Sequence, residues 1–168
     1  MEFRATPLPG AGTAGTGGGP ELAERGVFGR GGGFGMACFA QVITPDGKDW
    51  QRLSAAAGSR EALQAIKQRH ESGAACVLRI SGAACGLVVL WSEINAQNGR
   101  EIVLALGTGA GAKYWIPWAV QFSKDNRAGS IRTHCQRPGL IRLYEKNGFQ
   151  VVGTDPGGYT ILRFENGR

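Results

Sequence analysis

Residues 107–112 read Gly-Thr-Gly-Ala-Gly-Ala, between an apolar segment, 101–106, with strand character and an aromatic-rich segment with helical spacing. Such a stretch can hold an anion without any catalytic side chain. Small residues let backbone N–H groups approach phosphate, and a helix N-terminus adds partial positive charge. Leu106, Gly107, Thr108, Gly109, Ala110, Gly111 and Ala112 are therefore candidate cofactor contacts. The alternative is a tight strand-to-helix turn that holds nothing. A dinucleotide loop is disfavoured, because GxGxxG is absent and the two preceding strands read as a hairpin.

The second informative segment is Arg-Pro-Gly-Leu-Ile-Arg-Leu-Tyr-Glu-Lys-Asn-Gly-Phe at 137–149. Leu140, Leu143 and Tyr144 recur at helical spacing, with Arg142, Glu145 and Lys146 on the other face. Gly148 can take the left-handed conformation that ends a helix, and Phe149, Val151 and Val152 then open a strand. This run resembles the last helix and following strand of the GNAT superfamily of N-acetyltransferases. The resemblance spans roughly 75–165 in element order and rests mainly on 137–149.

That resemblance implies a set of roles. Acetyl-CoA would lie with its pyrophosphate on residues 107–112, and Tyr144 would give its proton to the departing thiolate. A phenol near its ordinary pKa of about 10 suits that task; a tyrosine packed in the core is the competing reading. Arg137 stands seven residues before Tyr144, where the family commonly has asparagine, and an arginine there can meet a phosphate. Aligning Gly109 and Gly111 with the family's small positions places Leu106 where a polar residue is usual. Pro117 falls in the first turns of the expected helix and forfeits a backbone hydrogen bond. The base that deprotonates the amine would be Glu93 or Glu101, which flank the central strands, or His134 on the fifth strand. A lone strand histidine is more often structural, and His70 most simply complements a helix dipole.

Composition bounds these readings. A chain of 168 residues, 42% hydrophobic and 19% charged, suits one α/β domain with an appendage. The longest apolar runs, 85–91 and 115–120, are far short of the roughly 20 residues that cross a bilayer. Residues 1–30 hold no continuous apolar stretch of the secretory kind. Cys38, Cys76, Cys85 and Cys135 show no CxxC pair or zinc-ligand spacing, so packed, reduced thiols in a cytoplasmic setting are expected. The net charge is +6, and from Arg127 onward seven Lys/Arg face three acids. The aromatics there do not alternate with the basic residues, so nucleic-acid binding stays a minor option.

Residues 1–35 contain twelve of the 28 glycines and three prolines but no lysine. That composition buries too little apolar surface to fold alone, and it reads as an arm beside a globular domain over 36–168. The expected fold is α/β, a GNAT-like mixed and mostly antiparallel sheet flanked by helices. The strands expected are 37–44, 75–80, 85–94, 101–106, 130–135, 149–154 and 159–165, with a turn at 45–48 and helices opening at Ser59, near Lys113 and near Arg137. Two functions follow. One is an acetyl-CoA-dependent N-acetyltransferase acting on an amine. The other is a non-catalytic GNAT-fold assembly protein, such as a phage virion component, docking through residues 1–35.

Overall fold

The computed structural model describes residues 38–97 and 99–167; the arm at 1–35 lies outside them. The chain forms β1 (Cys38–Ile43), α1 (Gly47–Ala57), α2 (Arg60–Glu71), β2 (Cys76–Gly82), β3 (Cys85–Ile94) and β4 (Arg100–Ala110). It continues through α3 (Ala112–Asp125), β5 (Ser130–Cys135), α4 (Pro138–Lys146), β6 (Gln150–Thr154) and β7 (Thr160–Glu165). All seven strands join one sheet in the order β1-β2-β3-β4-β5-β7-β6. Every neighbouring pair is antiparallel except β4 and β5, which need a crossover, and α3 supplies it.

Local chemistry explains the boundaries. Ser59 caps α2, its hydroxyl accepting the Ala62 N–H at 3.1 Å, and Gly148 follows α4 at φ 86°. The turn expected at 45–48 is instead the start of a helix. Asp46 and Asp49 form a reciprocal capping box at the head of α1, the acid three residues past the cap reaching back to the cap N–H. Leu53, Ala56 and Ala57 then bury one face of α1, and α1 packs on β4.

β4 is longer than the sequence suggests. Residues 107–110 are not a loop but strand, with Gly107 opposite Val88 and Ala110 opposite Cys85. The glycines there answer a packing demand. A Cβ on Gly109 would lie 2.0 Å from the Cys85 carbonyl oxygen, and one on Gly111 would lie 2.8 Å from Ala84. Both also hold positive φ, 109° and 83°, a region open mainly to glycine. Only Gly111 turns the corner into α3. That helix runs through the exposed Pro117 without a break, so the lost hydrogen bond falls on the solvent side.

The core lies on both faces of the middle strands. Residues 101–107 of β4 are all buried. Trp115, Ile116, Trp118, Ala119 and Phe122 of α3 pack with Leu140 and Tyr144 of α4 and with Phe149; burying side chains of this size is worth roughly 1.5–3 kcal/mol each. Val151 and Val152 of the edge strand β6 are, by contrast, half exposed.

The glycine geometry separates two substitutions. Gly109→Ala should cost about 2 kcal/mol or more, from backbone strain and the clash with Cys85. Gly139→Ala, in α4 with nothing within 4 Å of the added methyl, should be neutral or up to about 1 kcal/mol stabilising. Urea denaturation of the two variants measures both.

Candidate active site

Two adjacent parallel strands that separate create a gap in a sheet, and β4 and β5 do so. Their pairing runs from Glu101 opposite Ser130 to Leu104 opposite Thr133 and stops. Beyond it β4 continues to Ala110 beside β3 alone, and β5 continues to Cys135 beside β7. The parting coincides with a bulge. Val89 pairs with Leu106 and Leu90 with Leu104, leaving Ala105 extra on β4, an irregularity that bends a strand and raises its twist. At the vertex the Thr133 hydroxyl donates to the Leu104 carbonyl at 3.1 Å, tying the two strands together where they diverge.

Because side chains alternate across a strand, consecutive residues of β5 serve opposite faces of the gap. Thr133 faces the side occupied by Tyr144, whose hydroxyl interacts with it. Tyr144 is fully buried, and its ring meets Trp115 and Phe149 edge-on, with centroids 6.3 and 4.8 Å away. Burial drives its pKa far above the ordinary phenol range, so the group is a phenol at any working pH. The candidate acid and the core tyrosine are thus the same residue.

His134 faces the other side, where a chain of charges crosses four strands. The Glu101 carboxylate is almost wholly buried. It accepts from Ser130 Oγ at 2.9 Å and Arg132 Nε at 2.8 Å, and Arg163 Nε lies 2.8 Å from it. Arg132 also donates Nη2 to Glu93, whose other oxygen accepts the Trp91 indole N–H at 3.1 Å. Arg132 Nη1 lies 2.9 Å from His134 Nε2, and His134 Nδ1 lies 2.9 Å from Asp155 Oδ2. Asp155 is itself held by its turn: Oδ1 accepts the Gly157 and Tyr159 N–H groups at 2.8 and 3.0 Å. The three candidate bases therefore sit in one network, joined by arginine.

Several sequence expectations change here. His134 is not a lone strand histidine but a bridge between Asp155 and Arg132. Arg132 and Arg163, counted in the basic C-terminal segment, are engaged with glutamates. Arg137 becomes the N-cap of α4, with no side-chain capping bond. The side chain of Leu106 is buried in β4, so a contact from this position to a cofactor would be through its backbone. Arg132, Arg163, Asp155 and Thr133 were not singled out from the sequence; the Asp-Pro-Gly-Gly turn was, but its contact lies 21 residues back along the chain.

The features that could receive a phosphate are at the far end of β4. Gly111 caps α3 with no side-chain hydrogen bond, and the first turn holds no acid. Lys113 is exposed in that turn, its ammonium 4.7 Å from the Tyr114 ring centre. On the α1 side of the same glycines is an open cavity of about 460 Å³ lined by Arg52, Ala55, Ala56, Cys85, Gly86, Thr108 and Gly109. Among the described residues, no group of three His, Cys, Asp or Glu could hold a metal ion, and no helix is long and apolar enough to cross a membrane. All four cysteines are free thiols; burial pushes Cys76 up to about 11 and raises Cys38 and Cys135, which makes them poor nucleophiles.

The sequence matches no protein-family model and no curated protein at a significant level. The structure does match solved ones. An acetyltransferase from Bacillus subtilis in complex with CoA superposes with a TM-score of 0.57 at 13% identity, over 76% of this chain and 97% of that one. A GNAT family acetyltransferase from Elizabethkingia anophelis with acetyl-CoA bound gives 0.55 at 15% identity, over 77% and 98%. A chain of the NatC complex bound to Gag peptide and CoA gives 0.56 at 8%, over 77% and 99%. The chain has the GNAT acetyltransferase fold.

The network makes a stability prediction. Glu101→Ala removes the buried carboxylate that Arg132 and Arg163 share, leaves Arg163 only the exposed Glu165 at 3.9 Å, and should cost about 3 kcal/mol or more. Arg79→Ala, removing a half-exposed partner 2.9 Å from the buried Asp49, which keeps the Asp46 N–H, should cost less, about 1–2 kcal/mol. Chemical denaturation distinguishes the two.

Proposed function

We propose that this chain is an acyl-CoA-dependent N-acyltransferase, with acetyl-CoA in the gap between β4 and β5 and an amine as acceptor. The observation that carries the reading is the parting of the two strands at Leu104 and Thr133, with a phenol on one side and a carboxylate network on the other. The fold it shares with CoA-bound acetyltransferases supports the choice of cofactor.

The residues present fit that cofactor in part. The uncapped first turn of α3, with Ala112, Lys113 and the corner at Gly111, offers backbone N–H groups and one ammonium to its phosphates. Gly109 is already explained by its closeness to Cys85, so it adds no cradle. When bound, the group supplies an activated thioester carbonyl. The protein's residues would do the rest. Tyr144 holds a proton at Oη beside Thr133; buried as it is, with a raised pKa, it would act by hydrogen-bonding a leaving sulfur brought to it in the gap, not by being a strong acid. Glu93 is partly buried, 24% exposed, and more open than Glu101, although Arg132 and the Trp91 indole N–H engage its two oxygens; it lies about three residues along the strands from the vertex, roughly 10 Å, and would take the amine proton through water. Glu101, hydrogen-bonded by Ser130 and Arg132, ion-paired with Arg163 and almost wholly buried, supports Arg132 rather than reacting.

Two variants test the assignment in an assay of CoA thiol release with a panel of amines. Tyr144→Phe should lower kcat by about 100-fold or more while folding stability changes by about 1 kcal/mol. An unchanged kcat would remove Tyr144 from the mechanism. Lys113→Glu should raise the KM for acetyl-CoA by about tenfold or more, because it reverses a charge at the phosphate end. Stability should stay within about 1 kcal/mol, since an acid near a helix N-terminus is favourable.

A further inference from the structure

We propose that His134 is a positioning residue for Arg132 and not the base that deprotonates the acceptor. The argument starts from donor and acceptor chemistry. A guanidinium has donors and no acceptor, so the contact of 2.9 Å between Arg132 Nη1 and His134 Nε2 requires a lone pair on Nε2. The ring proton is then on Nδ1, which donates to Asp155 Oδ2 at 2.9 Å. The tautomer is assigned by its partners, and they leave one arrangement: neutral imidazole, Nδ1–H toward Asp155, Nε2 toward Arg132.

Both ring nitrogens are thereby used. The charged groups against the imidazole are Asp155 and Arg132, and behind Arg132 stand Glu93 and Glu101. A proton arriving at Nε2 would meet a guanidinium N–H head-on. Making room for it means pulling Arg132 away from His134 while Nε and Nη2 remain committed to Glu101 and Glu93. The side chains of His134 and Arg132 are only 13% and 14% exposed, so solvent offers little compensation for that rearrangement. The same geometry gives His134 a different task. Asp155, fixed by the turn between β6 and β7, orients the ring; the ring accepts from one arm of the guanidinium; the other two nitrogens, Nε and Nη2, are thereby aimed at the two glutamates. The imidazole thus transmits the rigidity of a turn to the carboxylates of β3 and β4.

As a statement about catalysis this inference rests on the acyltransferase reading; as a statement about the ring it does not. The first test is a long-range ¹H–¹⁵N correlation spectrum of the intact wild-type protein at neutral pH. The sequence has two histidines, and a His70→Gln variant identifies the second ring. The expected result is a neutral His134 ring protonated at Nδ1. An Nε2–H tautomer or an imidazolium would overturn the proposal.

The second test compares His134→Gln with His134→Ala. A glutamine amide can donate to Asp155 and accept from Arg132 but cannot take up a proton. Positioning predicts that His134→Gln keeps the Arg132 Nε–H resonance and turnover within about tenfold of wild type, whereas His134→Ala loses the resonance and most of the turnover. A base predicts that both variants lose turnover alike, by about 10²–10⁴-fold, and that outcome would refute positioning. If no variant and no wild-type sample turns over, the acyltransferase reading fails, and the ring spectrum still decides the tautomer.

Discussion

The site depends on one backbone event, the separation of β4 from β5 after Leu104 and Thr133. Parallel neighbours normally stay paired along their common length, because each unpaired buried N–H or C=O costs free energy. Here β4 keeps β3 and β5 keeps β7, so each strand retains one full ladder while the gap opens between them. The extra residue at Ala105 lets β4 bend at the vertex, and the Thr133 hydroxyl closes the vertex by bonding Leu104. The glycines of β4 belong to the same construction: they let the strand's end twist tightly against the Cys85 end of β3 and then turn into α3.

The paired end of β4 and β5 is secured differently on its two faces. On one, Tyr144, Phe149 and the aromatics of α3 make an apolar core that excludes water from the phenol. On the other, Glu101 gathers Arg132, Arg163 and Ser130, and Arg132 reaches Glu93 and His134. Buried ion pairs gain little over well-packed apolar groups, because desolvation offsets their attraction. What the network provides is fixed geometry, with charged groups from β3, β4, β5 and β7 in one arrangement beside the gap. Whatever approaches that face meets Glu93, Arg132, His134 and Arg163, each mostly buried but with an exposed edge.

Much of the fold was legible in the sequence where the signal is local. The strand at 130–135, the helix closed by Gly148 and the Asp-Pro-Gly-Gly turn need only alternation, helical spacing and turn residues. The hairpin of β2 and β3 was visible from two apolar runs around a small-residue turn. The first helix was missed because its apolar face is mostly alanine and its start, Asp46 with Asp49, looks like a polar turn. The end of β4 was missed because glycine and alanine carry little strand preference, and only the packing against β3 explains them. At the site, Tyr144, Glu93, Glu101 and His134 could be named as residue types. Their partners could not, since the contacts that define them, from His134 to Asp155 and from Glu101 to Arg132 and Arg163, join positions 21, 31 and 62 residues apart. No spacing rule reaches that far.

The most direct measurement is backbone chemical-shift mapping of the isotopically labelled protein during an acetyl-CoA titration, because it reports both whether the cofactor binds and where. The account predicts saturable changes concentrated at 104–113 and 133–137, the two sides of the gap and the first turn of α3. No change at millimolar acetyl-CoA would contradict it, and so would changes confined to Arg52, Ala55 and Cys85 around the cavity on the α1 side.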